Sequence, residues 1–209
     1  MINKIKINKK DNRLLFDSIN NIKRLNILFG GNGVGKSTLL NYISNNYIDV
    51  DDNNYIVKSY INSRDNSNIN RNKELATATD FIKAINCNSY SEGQAIIHNL
   101  LSFLQDIKEL KTDKTIIICM DEIDSGMSAE NINMILWQIK ELLETKNNIQ
   151  FFISCNNYHF VYCFKEVLNM YTGKYIKINS YEEYFELLNK GIKLMNESGK
   201  RQFNFLDIY

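Results

Sequence analysis

The sequence predicts an α/β fold: a mostly parallel sheet with flanking helices and an antiparallel β-hairpin at its N-terminal end. Two observations carry this. Apolar, strand-like runs alternate with amphipathic helical segments along the 209 residues, the pattern of a parallel sheet joined by crossover helices. Three of the runs, Leu25–Phe29, Thr115–Met120 and Gln150–Ser154, are apolar almost throughout, as strands covered on both faces must be. The length suits one domain, residues 1–209, with a sizeable core. No internal repeat, heptad run or long linker divides it.

Taken in order, Ile2 to Ile7 alternates with period two and Leu14 to Ile19 is a second short strand. Lys9-Lys10-Asp11-Asn12 connects them as a hairpin. Leu25–Phe29 feeds a glycine-rich turn, and a helix runs from Ser37 to about Asn46. Asp49 to Asn54 is an acidic turn, and Tyr55–Ile61 is a strand by its β-branched and aromatic content. Asn62 to Arg71 has no pattern and reads as a loop, and Lys73 to Ile85 is a candidate helix. Ser91 to about Lys111 is a stronger one, with Ile96, Leu100, Phe103, Leu104 and Ile107 on one face. After Thr115–Met120, a helix from Ser128 to Thr145 buries Ile132, Ile135, Leu136, Ile139 and Leu142. Beyond Gln150–Ser154, Val167–Tyr171 and Tyr175–Ile178 are strands joined through Thr172-Gly173. The capping pattern Ser180-x-x-Glu183 opens a last helix to about Asn189. The aromatic residues Phe203, Phe205 and Tyr209 close the chain.

Bulk properties narrow the function classes. A net charge of +1 offers no strong field for nucleic acid or anionic membrane, although a local basic patch stays compatible with it. Cys87, Cys119, Cys155 and Cys163 form no C-x-x-C pair, and His98 and His159 complete no zinc spacing. Cys119 and Cys155 sit in apolar strands, where a free thiol is a small hydrophobe. Reduced thiols, no signal-like start and no apolar run of membrane-spanning length place the expected compartment in the cytoplasm, with no membrane partner. With no proline, turns fall to Gly, Asn, Asp and Ser.

The most informative stretch is Gly30-Gly31-Asn32-Gly33-Val34-Gly35-Lys36-Ser37-Thr38, a G-x-x-x-x-G-K-[ST] pattern between a strand and a helix. Its glycines let backbone N–H groups wrap an anion, and the helix start adds unpaired amides and a positive dipole end. Lys36 would reach the β- and γ-phosphates of a nucleoside triphosphate, and the Ser37 hydroxyl would ligate Mg²⁺. Four further features follow in order. Tyr90-Ser91-Glu92-Gly93-Gln94 is a small-residue turn at a helix start, a second anion site. Asp121 ends a buried strand, placed to hold a Mg²⁺-bound water, and Glu122 directly after it can orient or deprotonate an attacking water. Ser125-Gly126-Met127-Ser128 turns just past that pair. Asn156 ends the next strand.

In this order the set resembles the nucleotide-binding domain of ABC-type ATPases, a branch of the P-loop NTPases, and looks closer to the soluble SMC- and RecF-like branch than to transporter subunits. Gly30 to Thr38 matches Walker A, Ser91 to Gln94 the signature, Ile116 to Asp121 Walker B, Glu122 the catalytic glutamate, and Ser125 to Ser128 the D-loop. Asn156 stands at the switch-histidine position. The resemblance covers roughly residues 25 to 160. It implies an ATP- and Mg²⁺-dependent ATPase that works as a head-to-tail homodimer. Ser91 and Gly93 of one copy would touch the γ-phosphate held by Lys36 of the other, and hydrolysis with Glu122 as base would release the pair.

Departures from the family pattern matter. No Gln lies between Lys36 and Gln94, so Asn62 is the stand-in for the Q-loop residue. Asn156 can hydrogen-bond the γ-phosphate but cannot carry the charge of a histidine. His159, one turn on, reads as structural. Ser128 replaces an Asp and also reads as a helix N-cap. Together these predict slow hydrolysis, a switch more than a motor, acting on an unidentified effector. Phe16 is a possible adenine partner and more readily a core residue. The Walker A-to-signature spacing leaves room for only a much reduced helical subdomain, which argues against a transporter subunit. An ATP-sensing dimerisation module with little turnover is the main alternative. A small-molecule kinase would leave the signature turn and Glu122 without a role.

Overall fold

The residues described in the computed structural model of the chain, 1–7, 14–45, 55–61, 92–125 and 127–199, build two sheets and five helices. The small sheet is the expected hairpin: β1 (Lys4–Lys6) and β2 (Ser18–Asn20) pair antiparallel with Ile5 opposite Ile19. The strands of the large sheet are β3 (Leu25–Phe29), β4 (Tyr55–Ile61), β5 (Thr115–Asp121), β6 (Ile149–Ser154), β7 (Glu166–Asn169) and β8 (Lys174–Lys177). Their spatial order is β4-β5-β6-β3-β7-β8. The first five neighbours in that order are parallel, and β8 joins β7 antiparallel at the far edge. All five parallel strands therefore end at one edge, where loops of an open α/β sheet receive their ligands.

The helices are α1 (Lys36–Ser44), α2 (Glu92–Glu109), α3 (Ala129–Thr145), α4 (Tyr158–Phe164) and α5 (Tyr181–Glu197). In α2 the buried residues include Leu100, Leu104 and Ile107, and in α3 Ile132, Ile135, Leu136, Ile139 and Leu142, the faces their periodicity predicts. Every residue of β6 is buried, so Phe151, Phe152 and Ile153 form the centre of the core. Buried Gln150 is fully used: it accepts the Ile2 N–H at 3.0 Å and donates to the carbonyls of Ile2 and Lys23. That side chain stitches the hairpin to the large sheet, and the Tyr42 hydroxyl does the same from α1 by donating to the Lys6 carbonyl.

Three elements differ from expectation. The second hairpin strand begins at Ser18 and not at Leu14; Leu14 and Phe16 precede the strand and are buried. Helix α4 is new. Its sequence, Tyr-His-Phe-Val-Tyr-Cys-Phe, has strand-like propensity, yet the Asn157 side chain caps it by accepting the His159 N–H, and Phe160 and Val161 anchor it in the core. Helix α5 continues past Asn189 to Glu197, through Gly191. The Lys9–Asn12 connection, the Asp49–Asn54 turn, the Asn62–Arg71 loop, the Lys73–Ile85 helix and the C-terminal aromatic residues lie outside the described residues. Among the described residues no helix is long and apolar enough to cross a membrane.

Because Phe152 sits in the middle strand and is fully buried, Phe152→Ala is expected to lower stability by about 3–5 kcal/mol. A chemical-denaturation midpoint shift checks this.

Candidate nucleotide site

At the carboxyl edge, β3 ends and the chain turns through Gly30–Gly35 into α1. Gly33 and Gly35 hold φ values of +81° and +99°, left-handed backbone that a Cβ would oppose. Gly35 is the N-cap of α1 and offers no side chain to it, and no acid stands in the helix's first turn. The first amides of α1, at Lys36, Ser37 and Thr38, are thus available to an anion, with the positive dipole end behind them. Asn32, Gly33 and Ser37 are exposed, while Val34 is buried and can offer only its backbone.

Lys36 is 6% exposed, unusual for a lysine. Its Nζ donates to the Gly30 carbonyl at 2.6 Å and to that of Gly31 at 3.3 Å. Burial pulls the ammonium below the ordinary lysine range, and the nearby carboxylates of Glu122, Asp121 and Asp124 work against that. The ammonium is held inside the loop by the Gly30 and Gly31 carbonyls.

The carboxylates come from the end of β5, two strands from β3. The Asp121 Oδ1 is buried and accepts no hydrogen bond among the described residues. An unused buried carboxylate oxygen near the Lys36 ammonium fits a divalent cation or its bound water. Glu122 has φ +49° and is exposed. That conformation costs on the order of 1–3 kcal/mol in a residue with a side chain, and here the Glu122 N–H donates to the Ser154 hydroxyl of β6 at 3.5 Å.

Asn156, exposed just past β6, has its backbone gripped on both sides. Asp124, 8% exposed, accepts the Asn156 N–H at 2.7 Å and the Asn157 N–H with the same oxygen. The Tyr184 hydroxyl of α5 donates to the Asn156 carbonyl at 2.8 Å. Burial pushes the Tyr184 phenol up to about 12, so it stays a donor. His159 turns to α3, its Nε2 lying 2.8 Å from the Asn133 side-chain oxygen, and Ser128 caps α3 by accepting the Asn131 N–H. Phe16 is buried with its ring against Gly173, a core position. Cys119 and Cys155 are buried, and burial pushes both thiols up, Cys119 to about 12.

The structure thus gathers the loop, Lys36, Asp121, Glu122 and Asn156 at one edge. Gly93 and Gln94 open α2 elsewhere on it, beside edge strand β4, where the Tyr60 hydroxyl donates to the Ile96 carbonyl. Three strand spacings, roughly 14 Å, separate β4 from β3. Ser91 and Asn62 lie outside the described residues. Sequence reasoning missed Asp124, Ser154 and Tyr184. Asp124 had a signal, a third acid two residues past the Asp121-Glu122 pair; Tyr184 had none, because its partner is a backbone carbonyl far along the chain.

A glycine loop between the middle strand β3 and α1, with an acid pair at the end of β5, defines the P-loop NTPase fold. The chain belongs to the ATPase family associated with various cellular activities (AAA), which it matches over residues 26–162, more than half its length. No curated protein matches the sequence. Among solved structures, the ADP conformation of MJ1267, an ATP-binding cassette of an ABC transporter, is 17% identical with a TM-score of 0.54, covering 92% of this chain and 97% of that one. CbiO1 from Clostridium perfringens, part of the ABC transporter complex CbiONQ, is 19% identical with a TM-score of 0.51, covering 93% and 94%. At these identities the likeness is one of fold. It bears out the α/β architecture and the expected ABC-type resemblance.

Removing the Asp124 carboxylate leaves two amides without their charged acceptor. Asp124→Ala should speed amide exchange at Asn156 and Asn157 by about tenfold to a hundredfold, the equivalent of roughly 1.5–3 kcal/mol, with the β3–β6 ladder amides unchanged.

Proposed function

We propose that this chain is an ABC-type ATPase that binds ATP with Mg²⁺, hydrolyses it slowly in a head-to-tail dimer, and thereby switches a partner protein. The observation that carries the reading is the insertion of β6 between β3 and β5. It puts Lys36, Asn156 and the Asp121-Glu122 pair side by side along one edge in that order, and this supports phosphate binding, γ-phosphate contact, metal holding and proton acceptance as neighbouring roles. The loop amides of Gly30 and of Asn32 to Thr38 would cradle the phosphates, and Lys36 would offset their charge. Ser37 and Asp121 would hold Mg²⁺, which supplies further positive charge to the phosphate oxygens. Glu122, exposed beside them, would accept the attacking water's proton. The Asn156 carboxamide would donate to the γ-phosphate without bringing charge, and this supports slow turnover.

The lateral offset between the start of α2 and the loop supports action in trans. Ser91, Gly93 and Gln94 of one copy would close over the nucleotide of a second. The chain would work as one domain, and a role beside an effector in genome maintenance or phage defence is fold-level analogy. The neutral Asn156 also favours a second reading, a dimerising ATP sensor that barely turns over. The transporter cassettes with the same fold suggest a third, an ATP-binding subunit of a transporter, against which stands the short spacing between Lys36 and Ser91.

Comparing wild type with Glu122→Gln in MgATP separates these readings. The proposal expects ATP hydrolysis to fall about a hundredfold or more while the variant elutes as a dimer only with ATP. Equal, near-zero rates with intact dimerisation would select the sensor, and a variant that stays monomeric in saturating MgATP would overturn the dimer.

A further inference from the structure

One aromatic ring separates the phosphate loop from the C-terminal helix. Tyr171, 5% exposed, follows β7, and its hydroxyl accepts the Gly31 N–H at 2.7 Å. The same hydroxyl lies 3.1 Å from where a Cβ on Gly31 would stand, and the ring edge lies 3.5 Å from one on Gly30. On its other side the ring rests on the bare backbone of Gly191 in α5. A Cβ there would fall 2.0 Å from Cζ and 2.2 and 2.5 Å from the two Cε atoms of Tyr171, distances no packing tolerates. Glycine inside a helix is disfavoured relative to alanine, so its place in the middle of α5 calls for a packing reason. The ring is that reason.

Tyr171 cannot yield by moving its backbone. Its N–H donates to the Asn169 side chain at 2.9 Å, and the N–H groups of Thr172 and Gly173 both donate to the Asn169 carbonyl. The Phe16 ring fills the space beside Gly173, where a Cβ would lie 2.7 Å from it. Anything that alters the 191 position must therefore move the Tyr171 ring, and with it the hydroxyl that fixes the Gly31 amide. That amide is spent on Tyr171 and not on phosphate, so its bond serves the shape of the loop.

We propose that Tyr171 is a positioning residue for the phosphate loop, through which α5 sets the loop's competence to bind a nucleoside triphosphate by way of Gly191. The nucleotide half of this rests on the function proposed above; the coupling half does not.

The test is a double-mutant cycle on the full chain with Tyr171→Phe, Gly191→Ala and the pair, read two ways. Without nucleotide, Gly31 amide exchange followed by NMR should speed up about tenfold in each single variant, and the double should be no faster than the faster single. With MgATP, each single variant should bind about fivefold more weakly or worse, again without multiplying in the double. Tyr171→Phe keeps the ring and its packing, so a purely packing role would leave ATP affinity at the wild-type value, and that result overturns the proposal. So does Gly31 exchange that Gly191→Ala leaves unchanged, or effects that multiply. If Gly191→Ala does not fold, Tyr171→Phe alone decides the positioning role. A wild type that binds no MgATP overturns the nucleotide reading instead, and the nucleotide-free exchange data tell the two failures apart.

Discussion

Everything at the carboxyl edge depends on β6 being threaded between β3 and β5 with all three strands parallel. Parallel alignment brings the end of each strand to the same rim. The insertion decides the order in which the rim is read: the glycine loop and Lys36 after β3, Asn156 after β6, Asp121 and Glu122 at β5. A strand that is buried on both faces can hold this order only if it is apolar throughout, and β6 is, apart from Gln150 and Ser154. Those two polar residues are used. Gln150 fastens the N-terminal hairpin, and Ser154 receives the Glu122 N–H.

The site holds several arrangements that cost stability. Lys36 is a buried ammonium satisfied by two carbonyls, Glu122 adopts left-handed backbone, and Asp121 keeps an oxygen without a hydrogen bond among the described residues. Each is expensive alone. They persist because the surrounding contacts over-determine them: Asp124 and Tyr184 fix the Asn156 segment from both sides, and Tyr171 fixes Gly31. Costs collected at one rim of an otherwise well-packed sheet are what a site prepared for a charged ligand looks like, since a polyphosphate with a divalent cation would relieve most of them together.

Much of this was legible in the sequence, for a physical reason. Buried parallel strands and phosphate loops are local patterns: β3, β4 and β5 fall where continuous apolar or β-branched runs put them, and the loop follows from four glycines and a lysine next to a strand. What the sequence hid was tertiary. The strand-like residues of α4 became helical because Asn157 caps them and Phe160 docks in the core. The last helix was expected to end near Asn189, yet it runs on through Gly191, whose bare backbone gives the Tyr171 ring its room. Asp124 was visible as an acid but not as the acceptor for two amides more than thirty residues away.

The account stands or falls on the loop of Lys36 being a triphosphate site. Titration calorimetry of MgATP into wild type and Lys36→Ala tests this most directly. The account predicts one ATP per chain for the wild type and a loss of about a hundredfold or more in affinity for the variant, the scale of a buried charge-assisted contact. Equal affinity in the two proteins, or no binding to the wild type, would contradict it.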